Sequence, residues 1–379
     1  MTKAIYLDNH ATTQLDPKVL ERLNKEVFSG AFNASAIHNS HGDTAKQLFE
    51  SAQKSVAEYF KVTPKQIFFT SGATESLNLI LRSYGSKSSV RSILTSPLEH
   101  PAVLQCLEAL REEGLCDFDL IDVDSKGRLK LEQLENKLGN NQLACFMAAN
   151  NEIGNIYPIH EIAKSCTKLN VPFVSDITQL VTKVNPSVFN KCDLLVLSGH
   201  KIHALQGSGV VIVNNPKLLD NLSPLLYGGG QQKGIRPGTI NLAGACSIAW
   251  ALELSDLEVN DKILTMRDLL QAKLLDSHPD IVVSGDLENR LCNNLHFCVP
   301  NTLNTFIIEQ LRGKVSVSTG SACASGTVQP SKVLQAINCP PELMQGAIRI
   351  GLSKFNTMQE IEEAAELIAG AIELAKEFS

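Results

Sequence analysis

Lys201 closes the run Cys192-Asp193-Leu194-Leu195-Val196-Leu197-Ser198-Gly199-His200-Lys201. The apolar stretch reads as a buried strand. It therefore delivers an amine, with the Ser198 hydroxyl and the His200 imidazole beside it, to the end of a sheet. A lysine placed there is costly unless its amine is used. The use that fits is a Schiff base with pyridoxal phosphate, an electron sink for amino-acid chemistry. A surface lysine after a strand would show the same short pattern, so the reading depends on what accompanies it.

Three other segments accompany it. Val171-Pro172-Phe173-Val174-Ser175-Asp176 reads as a short buried strand ending in an acid, 25 residues before Lys201. A carboxylate at that place can hold the proton of a pyridine nitrogen by a charge-assisted hydrogen bond. Gln179, three residues on, can donate to the ring oxygen. Phe68-Phe69-Thr70-Ser71-Gly72-Ala73-Thr74-Glu75 reads as strand, small-residue turn and helix start. The free N–H groups and positive dipole end of such a helix suit a phosphate dianion, with Thr74, Ser198 and His200 adding to its shell. The fourth segment is Val315-Ser316-Val317-Ser318-Thr319-Gly320-Ser321-Ala322-Cys323-Ala324-Ser325-Gly326. It reads as a strand entering a loop of small residues, where Cys323 has the exposure that reactive thiols need. A thiolate there can take a sulfur atom from a substrate and deliver it elsewhere.

In order along the chain come Tyr6-Leu7-Asp8-Asn9-His10-Ala11-Thr12-Thr13, Thr70-Ser71-Gly72-Ala73-Thr74-Glu75-Ser76 and Glu99-His100. Asn150-Asn151-Glu152-Ile153-Gly154, Ser198-Gly199-His200-Lys201 and Gly228-Gly229-Gly230 follow, then Arg236-Pro237-Gly238-Thr239, Gly320-Ser321-Ala322-Cys323 and Ala347-Ile348-Arg349. Together they resemble the cysteine desulfurases of the NifS/IscS type, a class V aminotransferase-like group, over nearly the whole chain. The Gly-Ser-Ala-Cys loop is the specific element.

The resemblance implies roles by position. Lys201 would hold the cofactor and move protons between substrate carbons. Asp176 would pair with the ring nitrogen, Gln179 with the ring oxygen, and His100 would stack on the ring and take part in proton transfer. Asn151 would contact the ring oxygen or the substrate. Ala73, Thr74, Ser198 and His200 would bind the phosphate. Thr239 would reach a phosphate in the partner subunit of a homodimer. Arg349, with Asn33 as the weaker candidate, would grip the substrate carboxylate. Cys323 would attack the sulfur of L-cysteine, leaving L-alanine and a persulfide bound for an acceptor protein of iron–sulfur assembly or of tRNA or cofactor thiolation.

The resemblance also implies a fold-type I transferase of the α/β class. A large domain, residues 15–255, would hold a mostly parallel seven-stranded sheet. A smaller α+β C-terminal domain, residues 256–379 joined by 1–14, would carry Cys323. Departures from the family pattern include Gln14, Phe32-Asn33-Ala34-Ser35, Ile177, Ala204-Leu205-Gln206-Gly207, Gln232-Lys233-Gly234 and Pro237. Among these Ile177 carries the chief expectation, since its bulk beside Asp176 would shift the ring. The chain ends at Ser379, earlier than housekeeping members whose tails help bind scaffolds, which leaves docking to such a scaffold open. Two other readings stay open: a selenocysteine lyase or other class V enzyme, and a non-catalytic sulfur-transfer or scaffold paralogue.

The elements that must position these residues follow from periodicity. Ala45, Leu48, Phe49, Ala52, Val56 and Phe60 recur at helical spacing. Strand-like runs at Ile67–Phe69, Ile93–Thr95, Leu143–Ala148, Val171–Val174 and Leu194–Leu197 alternate with helical stretches such as Ala102–Arg111 and Ile159–Leu169. That alternation predicts a mostly parallel sheet with helices on both faces and ligands beyond the carboxyl ends of its strands. Gly209–Val213 reads as a further strand, antiparallel. Later come two helices, about 242–254 and 262–275, short strands, and a last helix opened by a Thr357/Glu360 capping box.

Composition sets the outer bounds. With 379 residues, 44% hydrophobic and 20% charged, the chain has the make-up of a soluble protein long enough for two domains. A net charge of −6 and the lack of a basic block argue against a nucleic-acid surface. The ten cysteines are irregularly spaced and predict no disulfide framework. Cys292, His296 and Cys298 are too few and too far apart to predict a zinc site. Neither a secretory leader nor a membrane span is expected, which points to a reducing cytoplasm.

Overall fold

The computed structural model describes residues 4–87, 89–320 and 330–377. Twelve strands lie among them: β1 (Ile5–Tyr6), β2 (Ile67–Thr70), β3 (Ser92–Thr95), β4 (Asp117–Leu120), β5 (Leu143–Met147), β6 (Phe173–Asp176), β7 (Leu194–Ser198), β8 (Gly209–Val213), β9 (Val282–Val283), β10 (Asn294–Cys298), β11 (Val315–Ser316) and β12 (Ala347–Gly351). Seven of them make one sheet in the order β2-β8-β7-β6-β5-β3-β4.

Pairing is parallel from β4 through β3, β5, β6 and β7, whereas β8 is antiparallel to both β7 and β2. β8 is thus the one reversed strand of the sheet. The carboxyl ends of β2, β5, β6 and β7 therefore share an edge. Register fixes their order there: Gly209, at the start of β8, pairs with both Thr70 and Ser198, and Asp176 pairs with Met147 and Val196.

The sheet is buried on both faces, as near-continuous apolar runs in β5, β7 and β8 require. Side chains alternate between two cores. Leu195, Leu197, Val210 and Ile212 join one, beneath the helices Ser40–Phe60, Ile159–Leu169 and Leu242–Glu253. Leu194, Val196, Val211 and Val213 join the other, with the helices Ala73–Gly85 and Pro101–Glu112. A third core gathers Ile5 and Leu7 from the amino end with Leu295, Phe297, Ile348 and Ile350, between the helices Val259–Ser277 and Met358–Glu377. Its sheet is antiparallel, β12-β10-β9, and β1 pairs with β11.

The expected elements are found with shifted ends. β6 begins at Phe173 and runs into Asp176, rather than covering Val171–Val174. β4 escapes the apolar pattern because it is an edge strand, half of it aspartate, with mostly exposed side chains. The last helix has its capping box: Thr357 N donates to Glu360 (2.9 Å) and Glu360 N to the Thr357 hydroxyl (3.2 Å). Among the described residues no helix is long and apolar enough to cross a membrane.

Candidate active site

A cavity of about 880 Å3 opens at the shared carboxyl edge of the large sheet. Ala73, Thr74, His100, Asn151, Asp176, Gln179, Ser198, His200, Lys201 and Arg349 all line it. Ten residues singled out from sequence, from Ala73 to Arg349, thus meet in one place. Two do not. Asn33 is exposed, and its side chain accepts from Ser35 N at 2.9 Å instead of facing the cavity. Thr239 is exposed and lines no part of this chain's cavity. Cys323 lies outside the described residues; the chain reaches the cavity rim at Gly320.

At one end the residues form a cradle for an anion. The helix Ala73–Gly85 starts at Gly72 without a side-chain cap, so its first-turn N–H groups face the cavity unclaimed. The Ser198 hydroxyl stands beside Gly72, 3.6 Å from where a Cβ would be. A Cβ on Gly209 would lie 2.5–2.8 Å from the Gly72 Cα, C and N atoms, so only glycine there lets β8 approach the turn. His200 Nδ1 is 3.1 Å from the Thr12 hydroxyl, and burial, then the Lys201 charge, push its imidazole down to about 4. His200 is therefore a neutral ligand, not a cation, at physiological pH. An uncapped helix end, two hydroxyls and a neutral imidazole fit the phosphate of pyridoxal phosphate.

The opposite wall carries the groups a pyridine ring would need. Asp176 is buried, and one of its oxygens accepts from Thr178 N at 3.0 Å. Behind it, burial raises Glu99 to about 8 against the pull of Ser96 and Met147 N, with Asp176 adding to the rise. Glu99 is thus mostly protonated at neutral pH. His100 accepts from Ala102 N at 3.1 Å through Nδ1, capping the helix Pro101–Glu112. That bond requires a lone pair on Nδ1, so the neutral ring carries its proton on Nε2. Burial, then Lys201, lowers the His100 pKa, while Asp176 opposes.

The Lys201 amine donates to the carbonyls of His10 and Ala11, the latter at 2.6 Å. Burial, then the Arg349 charge, brings it down to about 8. A depressed amine has the free lone pair that attack on an aldehyde requires. Arg349 is 5% exposed, with Nη1 on the Asn151 carbonyl (3.0 Å) and Nη2 on Asp8 (3.1 Å). The Ser318 hydroxyl donates to the same Asp8 oxygen at 2.9 Å. Arg349 is thus aimed before any substrate arrives.

Sequence reasoning missed several supporting side chains. Asp8 was quoted only as part of a motif, yet it holds Arg349. His10 is fully buried between Gln179 Oε1 (3.0 Å) and Asn294 Nδ2 (3.1 Å). The amide can only donate, so His10 accepts at Nε2 and donates from Nδ1, orienting Gln179 toward the pocket wall. Glu152 is pushed up to about 7 by burial, against Ser331 and Arg349. A histidine, aspartate or glutamate inside a longer motif gives no signal of its own; only the fold shows what it touches. Ile177, expected to crowd the ring, instead packs in the core at 0% exposure. The Gln232 carboxamide makes two bonds to the Phe69 backbone, at 2.7 and 2.8 Å, bracing the strand before the phosphate turn.

Residues 5–363 match the family described as aminotransferase class-V. The cysteine desulfurase IscS of Ehrlichia chaffeensis is 35% identical over 382 residues, covering 99% of this chain and 92% of that one. Among solved structures, a NifS-like protein superposes with a TM-score of 0.88 at 32% identity, covering 98% of this chain and 100% of that one. SspA, solved in complex with cysteine, gives a TM-score of 0.81 at 26% identity, over 94% of this chain and 100% of that one.

Proposed function

The chain belongs to the class-V aminotransferase family and, within it, to the cysteine desulfurases, and on that premise we propose that it converts L-cysteine to L-alanine while Cys323 takes the sulfur. Its cofactor is pyridoxal phosphate. The observation that carries the reading is the single cavity in which an uncapped helix end, Asp176, Lys201 and Arg349 converge.

Bound there, pyridoxal phosphate supplies an electron sink for the pair released at the substrate Cα. This chain's residues do the rest. The N–H groups at Ala73 and Thr74, with Ser198 and His200, would hold the phosphate. Asp176 would pair with the protonated pyridine nitrogen, and Gln179, held by His10 at 3.0 Å, would serve the ring oxygen. Arg349 takes the substrate carboxylate with the N–H groups that Asp8 and Asn151 leave free. Lys201, as a neutral amine, would accept the Cα proton and return protons to carbon; His100 would offer its Nε2 proton to the cavity. The Cys323 thiolate attacks the substrate sulfur and the carbon–sulfur bond breaks, its electron pair staying with the alanine carbon. L-cysteine and one thiol thereby give L-alanine and one persulfide.

The boundary near residue 255, with residues 1–14 joining the second unit, belongs to the same proposal. So do the homodimer, with exposed Thr239 reaching a partner's phosphate, and a protein acceptor for the persulfide. Tyr227, 91% exposed just before Gly228, supports a surface that a second copy covers. A thiol-dependent reaction needs a reducing compartment, which supports a cytoplasmic setting. SspA in complex with cysteine supports cysteine as substrate.

The test is product analysis with L-cysteine, a reductant and added cofactor. Equal amounts of alanine and sulfide, absent from Lys201→Ala, are expected. Pyruvate in place of alanine, or alanine from selenocysteine alone, would overturn the proposal.

A further inference from the structure

A second, smaller cavity, of about 70 Å3, also borders Lys201. Lys183, His203, Ala251, Asp256 and Asn293 line it as well. Among the described residues Lys201 alone lines both this cavity and the cofactor cavity. Asp256 is exposed, so the smaller cavity leads from the surface to Lys201.

Its wall is polar where a core would be apolar. Asn293 is 5% exposed; its Nδ2 donates to the Leu352 carbonyl at 3.1 Å, while its buried Oδ1 has no partner in the protein. A buried oxygen of that kind calls for a donor from outside the chain, and water is the usual one. His203 Nδ1 is 2.9 Å from the Gln14 carbonyl, which can only accept. Nδ1 therefore donates, and Nε2 keeps its lone pair. The Lys183 amine donates one N–H to the Gln179 carbonyl at 2.8 Å and has others to offer. A water needs roughly 10–15 Å3 of such space and two to four polar partners, so this cavity has room and partners for several. Thr182, another wall residue, holds φ at +69°, a region that a β-branched side chain rarely enters. Backbone strain of that kind gathers at functional sites.

We propose that this cavity is a water-filled proton path, through which Lys201 exchanges protons with solvent separately from the cofactor cavity. The inference rests on the desulfurase reading, in which Lys201 takes the substrate Cα proton. Lys201, as an ammonium, gives one proton to the nearest cavity water. That water passes a proton on, and one leaves to solvent near Asp256. The reverse transfer returns a solvent proton to Lys201. Charge and protons balance, and a substrate-derived proton is replaced by a solvent one.

The test follows an isotope through the holoenzyme. L-cysteine carrying deuterium at Cα is turned over in ordinary water with a reductant, and the alanine is analysed by mass spectrometry. Ala251→Leu fills the space from a wall residue outside the cofactor cavity. Deuterium retained in its alanine should rise at least about twofold over the unmutated chain, because an ammonium cut off from water can only shuffle its own three protons. Val259→Phe, at the part-buried start of the helix Val259–Ser277, closes the same space without adding bulk to the core and should act alike. A crystal structure of the unmutated protein should show ordered water hydrogen-bonded to Asn293 Oδ1. Alanine formed with the same deuterium content by all three proteins, or no water at Asn293 Oδ1, would overturn the path alone. No alanine from the unmutated chain would overturn the desulfurase reading and the path with it.

Discussion

Lys201 should titrate far below an ordinary lysine, and the consequence can be worked out. Burial, then Arg349, brings its amine from 10.5 to about 8, with Asp8 and Asp176 pulling the other way. At pH 7 the neutral fraction is then roughly one in ten, against about one in three thousand for an unperturbed side chain, a ratio of about 300. Only the neutral amine can attack an aldehyde. The rate at which apoprotein captures pyridoxal phosphate should therefore climb about tenfold per pH unit below about 8 and level off above it. Stopped-flow absorbance, with the free cofactor's own titration subtracted, measures this directly. Replacing Arg349 with glutamine removes the charge that does most to lower the Lys201 pKa and should move the bend to higher pH. A rate that keeps rising tenfold per unit beyond about pH 10 would refute the argument, because it would mean that burial leaves the amine unperturbed.

Three further outcomes follow from the geometry. Asp8→Asn weakens the hold on Arg349; a charged hydrogen bond contributes about 1.5–3 kcal/mol, so KM for L-cysteine should rise at least roughly tenfold with kcat changed less, and unchanged KM would remove Asp8 from the site. Gly209→Ala drives a Cβ to 2.5–2.8 Å from the Gly72 backbone. It should weaken binding of pyridoxal phosphate while leaving that of pyridoxal, which has no phosphate, nearly unaffected; equal losses would contradict the cradle. Glu99 keeps its proton up to about 8 when folded but loses it near 4.5 when unfolded. The folded state therefore binds the extra proton between those values, and its stability falls there by about 1.4 kcal/mol per pH unit. Glu99→Gln removes that slope, so denaturation curves of the two proteins should converge at low pH and separate as pH approaches 8. Parallel curves would show that Glu99 ionises normally.

Much of the fold was legible because a parallel sheet buried on both faces writes itself as short apolar runs, and β5, β7 and β8 are such runs. The strand-end residues Thr74, Asp176 and Lys201 were legible for the same reason, since chain direction puts strand ends on one edge. β4 was not, because an edge strand need not alternate. Asp8, His10 and Glu152 were not either: each acts through a partner more than a hundred residues away, Arg349, Gln179 and Ser331 respectively, and spacing along the chain carries no trace of such pairs. Ile177 shows the converse. Proximity in sequence to Asp176 suggested crowding, but in a strand exit adjacent side chains point apart, and its bulk fills the core.

The central claim is that Cys323 carries the sulfur. The measurement that tests it most directly is mass spectrometry of the holoenzyme after brief exposure to L-cysteine without reductant. The account predicts one added sulfur atom on the peptide containing Cys323, alanine released in equal amount, and neither product from Cys323→Ser, although that variant keeps the bound cofactor's absorbance. Alanine formed at the native rate by Cys323→Ser, or added sulfur found on another cysteine first, would contradict it.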